Sequence, residues 1–353
     1  MLKYFSKIFQ IAAVFIGTIV GAGLASGQEI THFFTSFGPL SFIFIVLCGI
    51  FYIIITSIII KISSHKNLNS YSDFINVISP NFFGKITGVT MTFYLISSAS
   101  IILAGSGALI HQFSGIPKIV GTFLMIAIAI FFLYRGTEGL IEINSFIVPT
   151  LIFTIVTITG LYLFLCMDTI DFTQILESFP KKEGNLAIST ILYAGYNVFC
   201  CCGVLVPLCT SVKNKKIMKK GVIVGAVGLT LLSLMINFLL TVNVPYIFEY
   251  EVPLLFVSKR FGTIIQALLL IVILMEMFST EVSDVYSISR TLEHTFKIPF
   301  KKSVILVLLI AFPISLIGFG KLISTLYPIF GILSLIFVFC CVKYYIKNKN
   351  NLK

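Results

Sequence analysis

Long apolar stretches recur along the whole chain, and they restrict its fold more than any other feature. A helix needs about 20 apolar residues to cross a bilayer. Ten windows of that kind can be drawn, at 8–34, 40–61, 86–112, 117–134, 143–166, 186–212, 219–246, 263–290, 303–320 and 322–345. No polar block between them is large enough for a separate globular domain. The sequence therefore predicts an all-α polytopic membrane protein, with a single transmembrane domain over residues 1–353 and about ten helices.

The charged residues are few and are placed where membrane orientation uses them. They make up 11% of the chain, against about 25% in soluble domains. The net charge of +11 comes from lysines in short links rather than from a basic face, which argues against a nucleic-acid partner. With the N-terminus inside, 19 of the 25 Lys and Arg residues fall on the cytoplasmic side. The positive-inside rule then predicts a cell-membrane protein with both termini cytoplasmic.

Other classes of protein lack their sequence signals in this chain. All eight cysteines lie in apolar segments, where cysteine behaves as a small hydrophobe, so no metal site beyond a possible Na⁺ site is expected. No HExxH motif, GxSxG elbow or phosphate-binding loop is present, which argues against an enzyme and against an organic cofactor. The small residues of 21–27 could mimic a signal-peptide cleavage site, but the apolar sequence that follows favours an interrupted membrane helix.

The ten windows divide into two halves of five, at about 8–166 and 186–345. An odd number of spans per half makes the second half start from the opposite side, as in the inverted repeats of many secondary transporters. The links after the second and seventh spans match as well. The first contains Ser70 and Asp73, which resemble a capping box, and the second contains Pro253, which suits a first helical turn.

The first span has the composition of a broken helix. Gly17, Gly21, Gly23 and Gly27 place four glycines within eleven residues, and each weakens a helix by about 1 kcal/mol relative to alanine. A break at Gly21, Ala22 and Gly23 would free backbone N–H groups for an anionic group such as a carboxylate. Close packing of small residues is the alternative. Glu29, which ends this stretch near the outer side, could be a gate, an ion-pair partner or a solvated side chain.

The sixth span opens the second half with a comparable segment. Gly195 and Asn197 in mid-membrane predict a second interruption, and paired interruptions at corresponding positions indicate a transporter site. Asn197 could offer a donor and an acceptor to a solute, and Tyr193 or Tyr196 could wall the pocket. The alternative for all of these residues is ordinary helix packing with an interhelical hydrogen bond.

The eighth span contains the charged residues. At about 100° per residue one broad face collects seven polar side chains, with Glu281 to its side. They are Glu276, Ser279, Thr280, Ser283, Asp284, Ser287 and Arg290. Glu276 is a candidate proton carrier because it sits deepest. The hydroxyls of Ser279, Thr280 and Ser283 could ligate Na⁺, while Asp284 could instead pair with Arg290 near the interface. H⁺ and Na⁺ both remain open as coupling ions.

Two segments resemble a known family. The segment from Ile16 to Ile30 is similar to the opening signature of the YkvI-like bacterial membrane proteins, and Leu192 to Asn197 resembles their sixth-helix segment. The resemblance spans nearly the whole chain. It implies a relation to the amino acid–polyamine–organocation transporters, with a LeuT-type fold of ten helices as 5+5 and with helices 1 and 6 interrupted. It also implies solute at Gly21 to Gly23 and at Gly195 to Asn197.

The same resemblance implies a cation between the first span, at Gly17, and Ser279, Thr280 or Ser283. The sequence thus favours a secondary transporter of a small solute, such as an amino acid, that is driven by H⁺ or Na⁺ through alternating access. A solute-sensing receptor on a permease scaffold, like the permease-like subunits of spore germinant receptors, is the alternative, and an ion channel is a further one. The identity of the solute, the direction of transport and the oligomeric state stay open.

Overall fold

The computed structural model describes residues 2–68, 70–79, 82–135, 140–180, 182–212 and 214–350, and every regular element in these ranges is helical. Lys181, Lys213 and Lys353, which contribute to the charge pattern, lie outside the described residues. The α-helices, in chain order, are α1 (Leu2–Ile19), α2 (Ala22–Ser26), α3 (Gln28–Phe33), α4 (Ser41–Lys66), α5 (Tyr71–Ile78), α6 (Phe82–Ser114), α7 (Lys118–Arg135), α8 (Leu140–Leu165), α9 (Phe172–Glu177), α10 (Leu186–Ser211), α11 (Lys215–Thr241), α12 (Pro253–Lys259), α13 (Thr263–Phe296), α14 (Phe300–Ser315) and α15 (Phe319–Lys347).

The ten predicted spans all correspond to helices. Among the described residues, α4, α6, α7, α8, α10, α11, α13 and α15 are long and apolar enough to cross a membrane. The apolar helix α1 continues through α2 and α3 as the first span, and α14 has 16 residues, which is about 24 Å. Ten crossings place both termini at one end of the bundle, called here the terminal face. The links that contain α9 and α12 lie at the opposite end, called here the far face.

The first span is broken, as its glycines predict. Helix α1 ends at Ile19, and Gly21 is extended with φ −120° and ψ −169°. After the five residues of α2, Gly27 adopts φ +83°, a left-handed conformation that favours glycine. A Cβ at Gly27 would also lie only 2.8 Å from Cγ of Leu254 in α12. The far-face part of the span therefore consists of two short helices with a sharp turn between them.

The sixth span is continuous, so the predicted interruption at Gly195 to Asn197 is wrong. Helix α10 runs unbroken from Leu186 to Ser211. Gly195 instead faces α15, where an added Cβ would lie 2.8 Å from Oγ of Ser334. The facing glycine Gly331 is equally close, because its Cβ would lie 2.7 Å from Cβ of Leu192. The glycine here allows two helices to approach closely, as small residues do at membrane helix contacts.

The helix contacts repeat when the first five spans are exchanged with the last five. Helix α1 packs on α11 as α10 packs on α4, and α6 packs on α13 at the centre. Likewise α7 packs on α6 as α14 packs on α13, and α8 packs on α13 as α15 packs on α6. The linking helices α5 and α12 occupy equivalent positions: Ser70 accepts a bond from the Asp73 N–H at 3.0 Å, and Pro253 begins α12. Such an exchange is what an inverted repeat produces. The repeat limits of 8–166 and 186–345 stay a prediction.

Candidate functional site

The short helices on either side of the Gly27 turn in the first span contact six other helices. Helix α2 contacts α6, α12 and α13, and α3 contacts α10, α11 and α15. Ala22 and Gly23 are buried, whereas an added Cβ at Gly21 would meet no atom within 4 Å. The half-buried Gly21 therefore borders open space at the break. The three predicted residues of the first span do lie together at the interruption.

Glu29, which the sequence placed at the end of this stretch, folds back into the break. Its side chain is only 2% exposed, so it is not a solvated side chain. Oε2 accepts a hydrogen bond from the Tyr193 hydroxyl at 3.0 Å. On the other side, a Cβ at Gly23 would lie 2.2 Å from Oε1. The missing side chain of Gly23 thus makes the space in which the Glu29 carboxylate is buried, and the phenol of Tyr327 in α15 lies beside it.

The two tyrosines that contact the Glu29 carboxylate belong to a cluster of aromatic residues. The ring of Tyr193 contacts those of Phe33 and Phe34, with centroids 5.1 and 5.2 Å apart. Tyr196 stacks on Tyr327 with centroids 4.6 Å apart and an interplanar angle of 29°. The two tyrosines predicted for the sixth span therefore reach the break, in the company of aromatic residues that were not predicted.

The other two predicted residues of the sixth span face neighbouring helices. The Asn197 amide donates to the Tyr52 hydroxyl at 3.1 Å and to the Tyr193 carbonyl at 3.0 Å. It thereby links α10 to α4 and satisfies the helix backbone. Gly195 packs on α15. Both residues have the packing role that the sequence offered as the alternative.

Helix α13 brings three further carboxylates into the membrane core. Glu276, Glu281 and Asp284 are 3%, 0% and 7% exposed. Oε2 of Glu276, both oxygens of Glu281 and Oδ2 of Asp284 have no hydrogen-bond partner. Ser98 of α6 is a polar neighbour of Asp284. Among the side chains that the structure describes, no lysine or arginine is buried to this degree. Buried charges are normally paired, so the core has an excess of acid.

The structure does not bring the side chains of the predicted cation ligands together at one point. Thr280 donates its hydroxyl to the Glu276 carbonyl at 3.0 Å, and Ser283 donates to the Ser279 carbonyl at 2.8 Å. Ser279 is buried, but Ser283 is exposed. Gly17 faces α8, where its Cβ would lie 2.7 Å from Val148. Glu281, which the sequence placed to the side of the polar face, is fully enclosed, because α6, α8 and α14 pack on α13.

At the far face, the end of the first span is held by polar contacts. The Lys182 ammonium donates to the His32 carbonyl and to Oγ of Ser36, and it lies 4.4 Å from the Phe37 ring centroid. Burial lowers the pKa of Lys182 to about 8. Above these contacts a cleft of about 350 Å³ opens, lined by Gln28, Thr31, His32, Ser36, Pro180, Lys182, Ile247, Phe248 and Tyr250.

The sequence named Glu29 and Glu281 without placing either in the site, and it did not name Tyr327. Glu29 and Glu281 did carry a signal, since an ionisable residue within an apolar span is itself a functional indicator. Their burial depends on which neighbours cover each face of a helix, which periodicity does not show. Tyr327 carried no signal, because one tyrosine in an apolar helix is an ordinary packing residue.

No model of a known protein family matches the chain. YkvI, a membrane protein of Bacillus subtilis, is 30% identical over 330 residues, which cover 93% of each chain. The chain belongs to the YkvI family of bacterial membrane proteins. A second protein of that organism, YyaD, is 25% identical to this YkvI-family chain over 341 residues, covering 95% of this chain and 96% of YyaD.

Solved structures show that this YkvI-family protein has the LeuT fold. The inward-facing form of Mhp1 superposes with a TM-score of 0.63 at 13% identity, covering 97% of this chain and 77% of Mhp1. A Na⁺-coupled sialic acid symporter gives 0.63 at 14% identity over 95% and 78%. MhsT in complex with L-phenylalanine gives 0.61 at 15% identity over 90% and 79%. The neighbours are transporters rather than enzymes, which agrees with the expectation for this chain at that coarse level.

Proposed function

We propose that this protein is a secondary transporter that carries a small solute, such as an amino acid, through the cell membrane by alternating access. The observation that supports this most is the interruption of the first span at Gly21 beside the buried Glu29 carboxylate. Broken backbone at membrane depth is tolerated only where it lines a cavity or is buried in protein. The open space beside Gly21 gives a solute access to that backbone.

We further propose that transport is coupled to H⁺ or Na⁺. Glu29, Glu276, Glu281 and Asp284 are four buried carboxylates, and no lysine or arginine in the described part of the chain is buried with them. Ionisable groups at membrane depth are costly and mark ion or proton paths. A proton or a metal cation that neutralises one of them during the cycle would link its own movement to that of the solute.

Reconstitution into proteoliposomes tests the transport step. Radiolabelled L-amino acids are offered with an imposed pH gradient, with an imposed Na⁺ gradient and with neither. We expect at least one solute to accumulate above equilibrium under one of the gradients. Binding without accumulation would instead make the protein a solute sensor, and turnover of a substrate without any gradient would indicate an enzyme.

The variant Gly23→Leu ties the transport activity to the break. A leucine side chain there would displace the Glu29 carboxylate, so we expect uptake to be lost while the protein still inserts and purifies as a monodisperse species. Gly160→Ala is the matched control, because an added Cβ at Gly160 in α8 meets no atom within 4 Å. Undiminished uptake by Gly23→Leu would place the solute elsewhere.

A further inference from the structure

A groove opens at the terminal face, between the linking helix α5 and the end of α15. Its volume is about 830 Å³, within the range of about 300–1,000 Å³ that is usual for ligand sites. Beside the groove the two helices are held together by aromatic contacts, because the rings of Tyr71 and Phe74 lie 6.3 and 6.0 Å from that of Phe337. Phe74 and Phe337 are buried. The groove therefore has firm walls on both sides.

Most of the groove wall is apolar. Leu335, Ile336 and Phe339 line it from α15, and Val77 and Ile78 line it from α5. Phe339 is 65% exposed, so the protein itself leaves this wall uncovered. From Leu335 to Lys343 the helix rises about 12 Å, against about 15 Å for the hydrocarbon of one leaflet. The wall is long enough to contact an acyl chain over most of a leaflet.

The end of the groove is basic. Lys343 and Lys347 lie one helical turn apart on the face of α15 that lines it. Both lysines are exposed, and neither forms an ion pair with a described residue. The lining, as far as the structure describes it, contains no aspartate or glutamate. The groove thus offers a ligand two positive charges and no negative charge.

The other side of the α15 end attaches this helix to the bundle. There the Lys61 ammonium of α4 donates to the Tyr345 hydroxyl at 2.9 Å, and Cys341, one turn earlier, is buried. Tyr345 lies about 200° around the helix from Lys343. The position of the helix end therefore does not depend on the two lysines of the groove, which are free to bind a ligand.

We propose that this groove binds one anionic phospholipid from the leaflet at the terminal face. An acyl chain lies along the apolar wall, and the phosphate lies at Lys343 and Lys347. A groove along a membrane span faces acyl chains, and lysines next to a span attract anionic headgroups. A soluble phosphate would use the lysines alone and leave the apolar wall bare. The inference holds whether or not the protein transports a solute.

Native mass spectrometry of the purified full-length protein in detergent tests the proposal. The protein is titrated, in separate series, with dioleoylphosphatidylglycerol and with dioleoylphosphatidylcholine, which have identical chains and differ in headgroup charge. We expect one phosphatidylglycerol to stay bound at concentrations at which phosphatidylcholine is not retained. Equal retention of the two lipids would overturn the proposal.

A double variant assigns the lipid to the groove. Lys343→Gln combined with Lys347→Gln should weaken phosphatidylglycerol binding about 30-fold, because each lysine near an anionic headgroup contributes about fivefold. The matched control, Lys216→Gln combined with Lys220→Gln, removes two exposed lysines with the same spacing from the start of α11 at the terminal face. It should keep the wild-type affinity. An equal loss in both double variants, or no loss in the first, would refute the assignment.

Glycerol 3-phosphate separates a lipid from a soluble phosphate. It presents the phosphate without acyl chains, so we expect that it neither binds nor displaces phosphatidylglycerol at the same concentration. Displacement by glycerol 3-phosphate would make the groove a site for a soluble phosphate compound and would refute the lipid proposal. The unfolding midpoints of the lipid-free variants verify that each remains folded, since all four substituted lysines are exposed.

Discussion

Two residues, Gly23 and Lys182, determine how charged groups are buried in this protein. Gly23 makes room for a carboxylate six positions further along the chain, and that carboxylate is held by a hydroxyl from α10. At the far face, the partly buried Lys182 ammonium exchanges hydrogen bonds to water for bonds to the His32 carbonyl and to Oγ of Ser36. These hydrogen bonds do not fully replace the lost hydration, so burial destabilises the charged form of Lys182 relative to the neutral form.

The lowered pKa of Lys182 makes stability depend on pH. Its pKa is about 8 in the folded protein, against 10.4 or so in an unfolded chain. Between these values the unfolded state binds more protons, so raising the pH through this window stabilises the folded state. We expect the unfolding midpoint of the wild type, relative to Lys182→Met, to rise from pH 7 to pH 10. The exposed Lys259→Met is the control, and a constant or falling difference would contradict the assignment.

At the scale of helices, glycines set how closely neighbouring spans approach. Gly221 and Gly225 of α11 lie against α1, where added Cβ atoms would come within 2.6 Å of Ile11 and 2.9 Å of Phe15. Gly195 and Gly331 do the same between α10 and α15. The contact of α1 with α11 joins the two halves of the bundle, and that of α10 with α15 lies within the second half. Both depend on dispersion, because lipid removes the hydrophobic drive for helix association.

Substituting one of these glycines should separate two helices. A Cβ at Gly331 would lie 2.7 Å from Cβ of Leu192 and 2.9 Å from its carbonyl oxygen, which belongs to the backbone. We expect Gly331→Ala to lower the free energy of unfolding by about 1–3 kcal/mol. Gly160→Ala, which adds a methyl group in open space, should be neutral or slightly stabilising. Chemical denaturation in detergent compares them, and equal stability of the two variants would refute the close contact.

The comparison of α1–α3 with α10 shows how far sequence reasoning extends. Bilayer thickness fixes span length, so hydropathy located all ten helices, and the glycines of the first span did indicate its break. The glycine of the sixth span looked the same locally, yet Gly195 lies in an unbroken helix because Ser334 of α15 lies against it. A glycine in a membrane span can break its helix or allow a second helix to approach closely, and which of these occurs depends on neighbours that are distant in the sequence.

At the scale of the whole molecule, charge is sorted by depth. Four carboxylates are buried in the core, while the basic residues concentrate in the links and ends, 19 of the 25 on the side assigned to the termini. Basic residues near the ends of spans are retained on the cytoplasmic side during insertion. The terminal face is therefore predicted to be cytoplasmic and the far face external.

Reporter fusions test that orientation directly. Green fluorescent protein fused after Lys353 should fluoresce, because that end is expected inside the cell. Alkaline phosphatase inserted after Lys182, between α9 and α10, should be active, because that link is expected outside. A dark C-terminal fusion together with an inactive phosphatase at the link would reverse the assignment.

The close approach of Gly27 to Leu254 restricts how the far face can open. The turn between α2 and α3 accommodates the leucine of α12 directly over a backbone without a side chain, so the two segments interlock. A tilt of α3 toward a stationary α12 would force atoms into one another, whereas a joint displacement leaves the contact intact. Opening at the far face consequently requires the linker helix α12 to move with the end of the first span, which couples α12 mechanically to the buried carboxylate of Glu29.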